Sequence, residues 1–380
     1  MASFIVHIGD AKCGSTAIQR ALYRSREALR DHGIVYETTS PDNGHFALAT
    51  LLGQSTRGNV AAQQEAARAS IARIQTMTRP SDVILISAES LFALKPATIF
   101  GALKMISHKI DEIHIIAYLR PPASMYLSLV QQVLKGNAHF TKPDDYQRRK
   151  DAQLSAWQRN RRRSSVTVRQ FDRARLVGGD VVQDFATILK RVMGIQSLAL
   201  QGGDENKSIS AEQLVVLQDL RRRFLSDKDG TLHPLSGRLI DYFQSLNSLN
   251  TVGKPLKLSD DAYRVVCEGN QQIAQNLNDM FSDLQLPVPT FVGPGTTQHA
   301  WTNTDDVASI LAEYDLGVVD QLRWLVPAFH RHADPASAAP RRADAAAALS
   351  AQFAIDPALF LAATQSYWQK EGRQGAFMTA

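Results

Sequence analysis

The period of apolar residues changes several times along the chain, and each change marks an element. Residues 3–8 (SFIVHI) form a short, nearly unbroken apolar run with β-branched members, the pattern of a buried strand. From Ser15 onward Ile18, Ala21, Leu22, Ala28 and Leu29 recur at helical spacing. An Ala-rich helical stretch follows at residues 59–77, then a second buried-strand run at 82–87 (DVILIS) and a third at 113–119 (IHIIAYL). After Pro121 and Pro122 the pattern predicts a helix to about Lys135. Residues 166–171 (VTVRQF) read as a fourth strand, and 180–193 as a helix stopped by Gly194. Strands alternating with helical stretches predict βαβ units and a parallel sheet.

The second half loses the strand signal. Residues 210–225, 239–249 and 259–284 carry helical periodicity, as do 304–316 and 318–329, whereas 292–304 (VGPGTTQHAWTNT) reads as a loop. Residues 333–348 are Pro/Ala-rich and read as a linker before a last helix at 356–370. The expected organisation is an α/β core over 1–205, a helical region over 206–332 and a linker with a terminal helix over 333–380.

Composition narrows this little. The 380 residues are 44% hydrophobic and 21% charged, ordinary for a folded soluble chain. Two cysteines, Cys13 and Cys267, make no disulfide framework and suit a reducing compartment. No leader pattern and no long apolar run are present, so the expected location is the cytoplasm and no transmembrane segment is expected. The net charge of +5 is uneven. Arg148, Arg149, Lys150, Arg159, Arg161, Arg162, Arg163, Arg169, Arg173 and Arg175 crowd together against only Asp151 and Asp172. This block is either a solvated helix face or the rim of a site for an acidic ligand.

The junction of the first strand and helix carries the chemistry. In GDAKCGST, Gly9 and Gly14 keep the glycine spacing of a Walker-type loop, but Ser15 stands where that loop has its lysine, and Lys12 lies between the glycines. A glycine turn opening a helix favours an anion, because the first helical N–H groups lack intrahelical partners and the helix dipole is positive there. Ser15 and Thr16 add hydroxyl donors. A lysine in the loop crown suits a ligand whose reactive group lies just outside one cradled phosphate.

HIGDAKCGSTAIQ (residues 7–19) resembles the 5′-phosphosulfate loop of the sulfotransferases that use 3′-phosphoadenosine 5′-phosphosulfate (PAPS). The closest likeness is to the bacterial branch in which HIG, K, G, [ST]T and IQ recur. The resemblance implies that Lys12 meets the bridging oxygen and leaving phosphate. Cys13, Gly14, Ser15 and Thr16 would hold the 5′-phosphate. A second motif, YLRPPASMYLSLVQQ (118–132), is similar to that family's 3′-phosphate element. Arg120 ends a strand and Ser128 follows eight residues on, with Ser124 on the same helical face as the alternative hydroxyl. RQFDRARLVGGDVVQDF (169–185) and NKSISAEQL (206–214) are weaker likenesses, so the resemblance spans roughly residues 4–215. It implies a P-loop-like three-layer α/β/α fold with a central parallel sheet, beside the mostly helical C-terminal half.

The implied reaction moves a sulfuryl group from PAPS to a hydroxyl or amine of an acceptor, a carbohydrate or glycolipid, with no metal. The arginine block points to an anionic acceptor. A base must take the acceptor proton, and two residues are candidates. Glu89 lies just past the second strand, and His45 lies in the segment after the first helix. His7, on the first strand, reads as a core histidine. Two rival readings are a small-molecule kinase using ATP–Mg²⁺ and a non-catalytic module that grips a polyanion. Aromatics do not interleave the arginines, which argues against nucleic acid.

Overall fold

The computed structural model describes residues 2–53, 59–159, 164–203, 208–291, 305–330 and 334–372. The elements run β1 (Ala2–Gly9), α1 (Ser15–Arg24), α2 (Arg26–Asp31), β2 (Ile34–Val35), α3 (Leu48–Leu51), α4 (Val60–Met77), β3 (Val83–Ser87), α5 (Pro96–Ile106), β4 (Ile110–Leu119), α6 (Pro122–Leu134), α7 (Lys150–Gln158), β5 (Ser164–Gln170) and α8 (Val181–Met193). The later elements are all helical: α9 (Ala211–Phe224), α10 (Pro234–Leu249), α11 (Asp260–Met280), α12 (Leu316–Trp324), α13 (Pro335–Gln352) and α14 (Pro357–Gly372). Among the described residues no helix is long and apolar enough to cross a membrane.

The chain forms two compact units that interleave along the sequence. The first takes residues 1–122, 148–205 and 270–289, and the second takes 123–147, 206–269 and 290–380.

The first unit is a three-layer α/β/α sandwich. Five parallel strands lie in the order β2-β3-β1-β4-β5. Phe4 pairs with Ile84 on one side of β1 and Ile113 on the other; His7 pairs with Ser87 and Ile116. Side chains alternate across a strand, so β1 feeds both layers. Phe4, Val6 and Ile8 enter a core with Ile71 and Ile74 of α4, Ile99 and Leu103 of α5, Trp157 of α7 and Leu277 of α11. The alternate residue His7 faces the other layer, where its ring meets Phe185 of α8 edge-on at 5.2 Å. Burial on both faces is why β1 reads as an unbroken apolar run rather than an alternating one. The four runs expected as strands are β1, β3, β4 and β5. The edge strand β2 is two residues long, too short to leave a periodic signal.

The second unit is helical. A capping box starts α9: the Ser210 hydroxyl accepts from Gln213 N–H while the Gln213 side chain accepts from Ser210 N–H. Arg221, fully buried on α9, donates to the carbonyls of Gly136 at 2.6 Å and Lys228 at 2.8 Å and to Asp229 at 3.1 Å. Two expectations are corrected here. The Pro/Ala-rich stretch is not a linker but helix α13. Pro335 occupies the first helical position, where a missing N–H costs nothing, and alanine has the highest helix propensity. Ala345, Ala346 and Leu349 give it a buried face. Within 304–316 the described helix is a 3₁₀ turn, Val307–Ile310, after which Leu311 bridges to Leu258. The loop expected at 292–304 lies outside the described residues.

Asp184 of α8 ties the first unit's outer layer to its sheet. Its buried carboxylate accepts from Tyr118 Oη of β4 at 2.8 Å, Arg169 Nη2 of β5 at 2.6 Å and Val177 N–H at 3.2 Å. Asp184→Ala leaves these donors unmatched and is expected to lower stability by about 3 kcal/mol, read by denaturant unfolding. A change below about 1 kcal/mol would mean that the network contributes little net stabilisation.

Candidate functional site

The sheet's carboxyl edge brings together the ends of three strands. β3 lies on one side of β1 and β4 on the other. The turns after β1 and β4 diverge at such a point, and open parallel sheets bind ligands there. The first turn is residues 10–14. It leaves β1 still bonded to the neighbouring strand, with Asp10 N–H donating to the Tyr118 carbonyl at 3.1 Å.

Backbone packing dictates the glycines. Gly9 has φ 84°, and a Cβ there would lie 3.0 Å from Glu89 Cα and Cβ. Gly14 has φ 77°, and a Cβ there would lie 2.9 Å from Phe171 Cε2 and Val181 Cγ1. Both positions therefore need a left-handed conformation and the absence of a side chain. Between them Lys12 adopts φ 61° without being glycine. Such a conformation costs an L-residue about 1–2 kcal/mol. Helix α1 then begins at Ser15, with no side-chain cap at Gly14 and no acidic residue in its first turn. That combination keeps the positive end of the helix dipole uncompensated.

Charged groups from all three strand ends meet at this turn. Burial lowers the Lys12 ammonium pKa, the Glu89 carboxylate raises it, and the Arg120 guanidinium lowers it further. Burial raises the Glu89 pKa, against the pull of Lys12 and of the nearby Ser15 hydroxyl. Arg120 sits at the end of β4 with its guanidinium 4.9 Å from the centre of the Phe171 ring. Its backbone N–H faces the Cys13 sulfur. Cys13 is fully buried, and its thiol is pushed up to about 12, chiefly by burial. It is an apolar anchor for the loop rather than a nucleophile.

Lys12, Cys13, Gly14, Ser15, Glu89 and Arg120 thus come together; Ser15 is buried and Thr16, next on α1, is exposed. Ser128 lies half-buried on α6 and Ser124 exposed on the same helix, both belonging to the second unit.

The other candidate base has a different environment. His45 is buried, and both ring nitrogens are engaged by backbone. Nδ1 accepts from Ser87 N–H at 3.2 Å and Nε2 faces the Glu37 carbonyl at 2.9 Å. Burial holds its pKa at about 4. Neutral His45 splints the 37–45 segment to the end of β3, with neither nitrogen left to accept a substrate proton. His7 is a core histidine, bonded through Nδ1 to Ser87 Oγ at 2.8 Å, with burial lowering its pKa to about 3.

The arginine block divides rather than forming one face. Arg169 turns to Asp184, Arg149 pairs with Asp151 at 3.3 Å, and Arg173 and Arg175 are exposed. Arg161, Arg162 and Arg163 lie outside the described residues. Arg148 and Lys150 turn inward to Asp10, a contact the sequence reading missed. The signal available was an acidic residue inside an otherwise cationic loop. Among the described residues no group of three or more His, Cys, Asp and Glu is placed to hold a metal ion. His330 stacks on Trp324 at 3.8 Å, and His332 is outside the described residues.

A scan of protein-family models finds no match to the chain, and no curated protein matches it.

The turn's strain makes a stability prediction. Lys12→Gly removes the left-handed penalty but adds unfolded-state freedom, so its stability should stay within about 1 kcal/mol of the parent. Gly14→Ala should lose about 2 kcal/mol or more through the close approach to Phe171 and Val181. Thermal unfolding of both variants checks this, and the reverse order would show the turn to be pliable.

Proposed function

We propose that the chain is a PAPS-dependent sulfotransferase that moves a sulfuryl group to a hydroxyl or amine of a carbohydrate or glycolipid acceptor. The observation that carries this reading is one constellation: an ammonium, a carboxylate and a guanidinium from three strand ends around an uncapped helix N-terminus. In the proposal the amides at Gly14–Thr16 hold the donor's 5′-phosphate, and Arg120 takes the 3′-phosphate. We place the activity in the cytoplasm, in keeping with two buried cysteines that form no disulfide.

The chemistry asked of the residues is modest. The sulfuryl group leaves a phosphate oxygen and joins the acceptor oxygen or nitrogen in line, so positioning and charge stabilisation carry the catalysis, as in phosphoryl transfer. Negative charge grows on the leaving oxygen, where Lys12 would meet it. Glu89 would accept the acceptor proton as the new bond forms. Its engagement with Lys12 and Ser15 supports Glu89 over His45, whose nitrogens are both held by backbone.

The deciding experiment is calorimetry with adenosine 3′,5′-diphosphate and with ATP–Mg²⁺. Preference for the diphosphate is expected; equal or tighter binding of ATP–Mg²⁺ would favour a kinase. Two kinetic predictions follow from the roles given. Lys12→Ala should lower turnover about 10²–10³-fold while the diphosphate still binds, and unchanged turnover would remove Lys12 from the mechanism. The rate should also be bell-shaped in pH. Glu89 must be ionised, and its raised pKa puts the acid limb above the ordinary value of 4.5. Lys12 must be protonated, and its lowered pKa puts the alkaline limb below 10.5. Persistence of the acid limb in Glu89→Gln would mean that another group is the base.

A further inference from the structure

Asp10 is out of place for an anion site. Its carboxylate is 2% exposed at the first position of the cationic turn, where negative charge should repel a phosphate. Its contacts explain why it is there. Arg148 donates to it through both terminal nitrogens, Nη1 to Oδ2 and Nη2 to Oδ1, each at 3.2 Å. Lys150 Nζ lies against Oδ2 as well. Asp10 itself is fixed to the turn, because Oδ1 accepts the Ala11 N–H at 2.7 Å and its own N–H is bonded to β4. On the other side, Arg148 N–H donates to Asn270 Oδ1 at 3.3 Å.

We propose that Asp10 is a positioning residue that holds Arg148 against the turn, so that Arg148 is a third cationic contact, with Lys12 and Arg120, for the anion bound there. This rests on reading the turn as the seat of the ligand's 5′-phosphate end. A bidentate fork fixes the plane of a guanidinium, and three of its five N–H donors lie outside the two bonds to Asp10. The Arg148 side chain is 30% exposed, so it is not sealed in the core. Its charge already reaches the turn, where it joins Arg120 in pulling down the Cys13 thiol pKa against burial. Lys150 behaves differently. It is nine-tenths buried over the Phe92 ring at 5.0 Å, and burial lowers its pKa to about 7. Arg148 is thus the partner of Asp10 whose charge does not depend on pH and whose side chain reaches the surface. The carboxylate lowers the local positive charge but fixes where the remaining charge stands, which is the exchange that preorganised sites make.

The test is calorimetry on the full chain with adenosine 3′,5′-diphosphate and adenosine 3′-monophosphate, which lacks the 5′-phosphate. Arg148→Ala should weaken the diphosphate about 10–100-fold, the loss of one charge-assisted contact, and leave the monophosphate within about threefold. Arg148→Lys, which keeps the charge without the fork, should fall between. Asp10→Asn should also weaken the diphosphate, although it removes a negative charge from beside an anion. Tighter binding by Asp10→Asn would overturn the proposal. Equal weakening of both nucleotides by Arg148→Ala would show a merely structural ion cluster and overturn it too. Should Asp10→Asn not fold, the two Arg148 variants decide alone. A parent chain that binds neither nucleotide would refute the reading of the turn itself, a result distinct from a parent that binds and an Arg148→Ala that binds equally well.

Discussion

The approach of the first turn's backbone to its neighbours is the constraint on which the site depends. Gly14 leaves no room for a methyl between itself and Phe171 and Val181, and Gly9 leaves none beside Glu89. The turn is therefore pressed against the ends of β3 and β5 at once. That contact brings Glu89 to Lys12 and lets the Arg120 N–H face Cys13. The left-handed Lys12 is a local cost of about 1–2 kcal/mol, sustained by the burial of β1 on both faces. Strain of this kind persists where the surrounding packing over-determines it, and it clusters at functional sites.

Electrostatics follows from the same geometry. Lys12, Arg120 and Arg148 supply three cations around the turn, and Glu89 and Asp10 supply two carboxylates. Each carboxylate is engaged with a cation, so neither is left as an unpaired charge. The two carboxylates serve different ends. Glu89 stands just past β3 beside Lys12, where the proposed function uses it as the base. Asp10 is enclosed by Arg148 and Lys150. Burial raises the Glu89 pKa and lowers that of Lys12, so the two shifts narrow the gap between a base and a neighbouring acid.

Much of the α/β unit was legible because its strands are covered on both faces and announce themselves as apolar runs. The turn was legible as a turn because glycines at positions 9 and 14 fall between an apolar strand run and the start of a helical period. What could not be read has physical causes. β2 is two residues long, and α5 is apolar nearly all round, so neither carries a period. The Ala/Pro-rich stretch was misread because composition cannot tell a solvated linker from a helix with an alanine face. His45 was an equal candidate on sequence, and only the two backbone bonds to its ring separate it from Glu89. Asp10 and Arg148 meet across 138 residues, a separation no local pattern encodes.

The central claim is that the turn after β1 and the end of β4 grip one doubly phosphorylated adenosine. A crystal structure with adenosine 3′,5′-diphosphate tests it most directly. The account predicts the 5′-phosphate on the amides of Gly14–Thr16 with Lys12 beside it, and the 3′-phosphate on the Arg120 guanidinium. A nucleotide seated elsewhere, or one whose 3′-phosphate points away from Arg120, would contradict it.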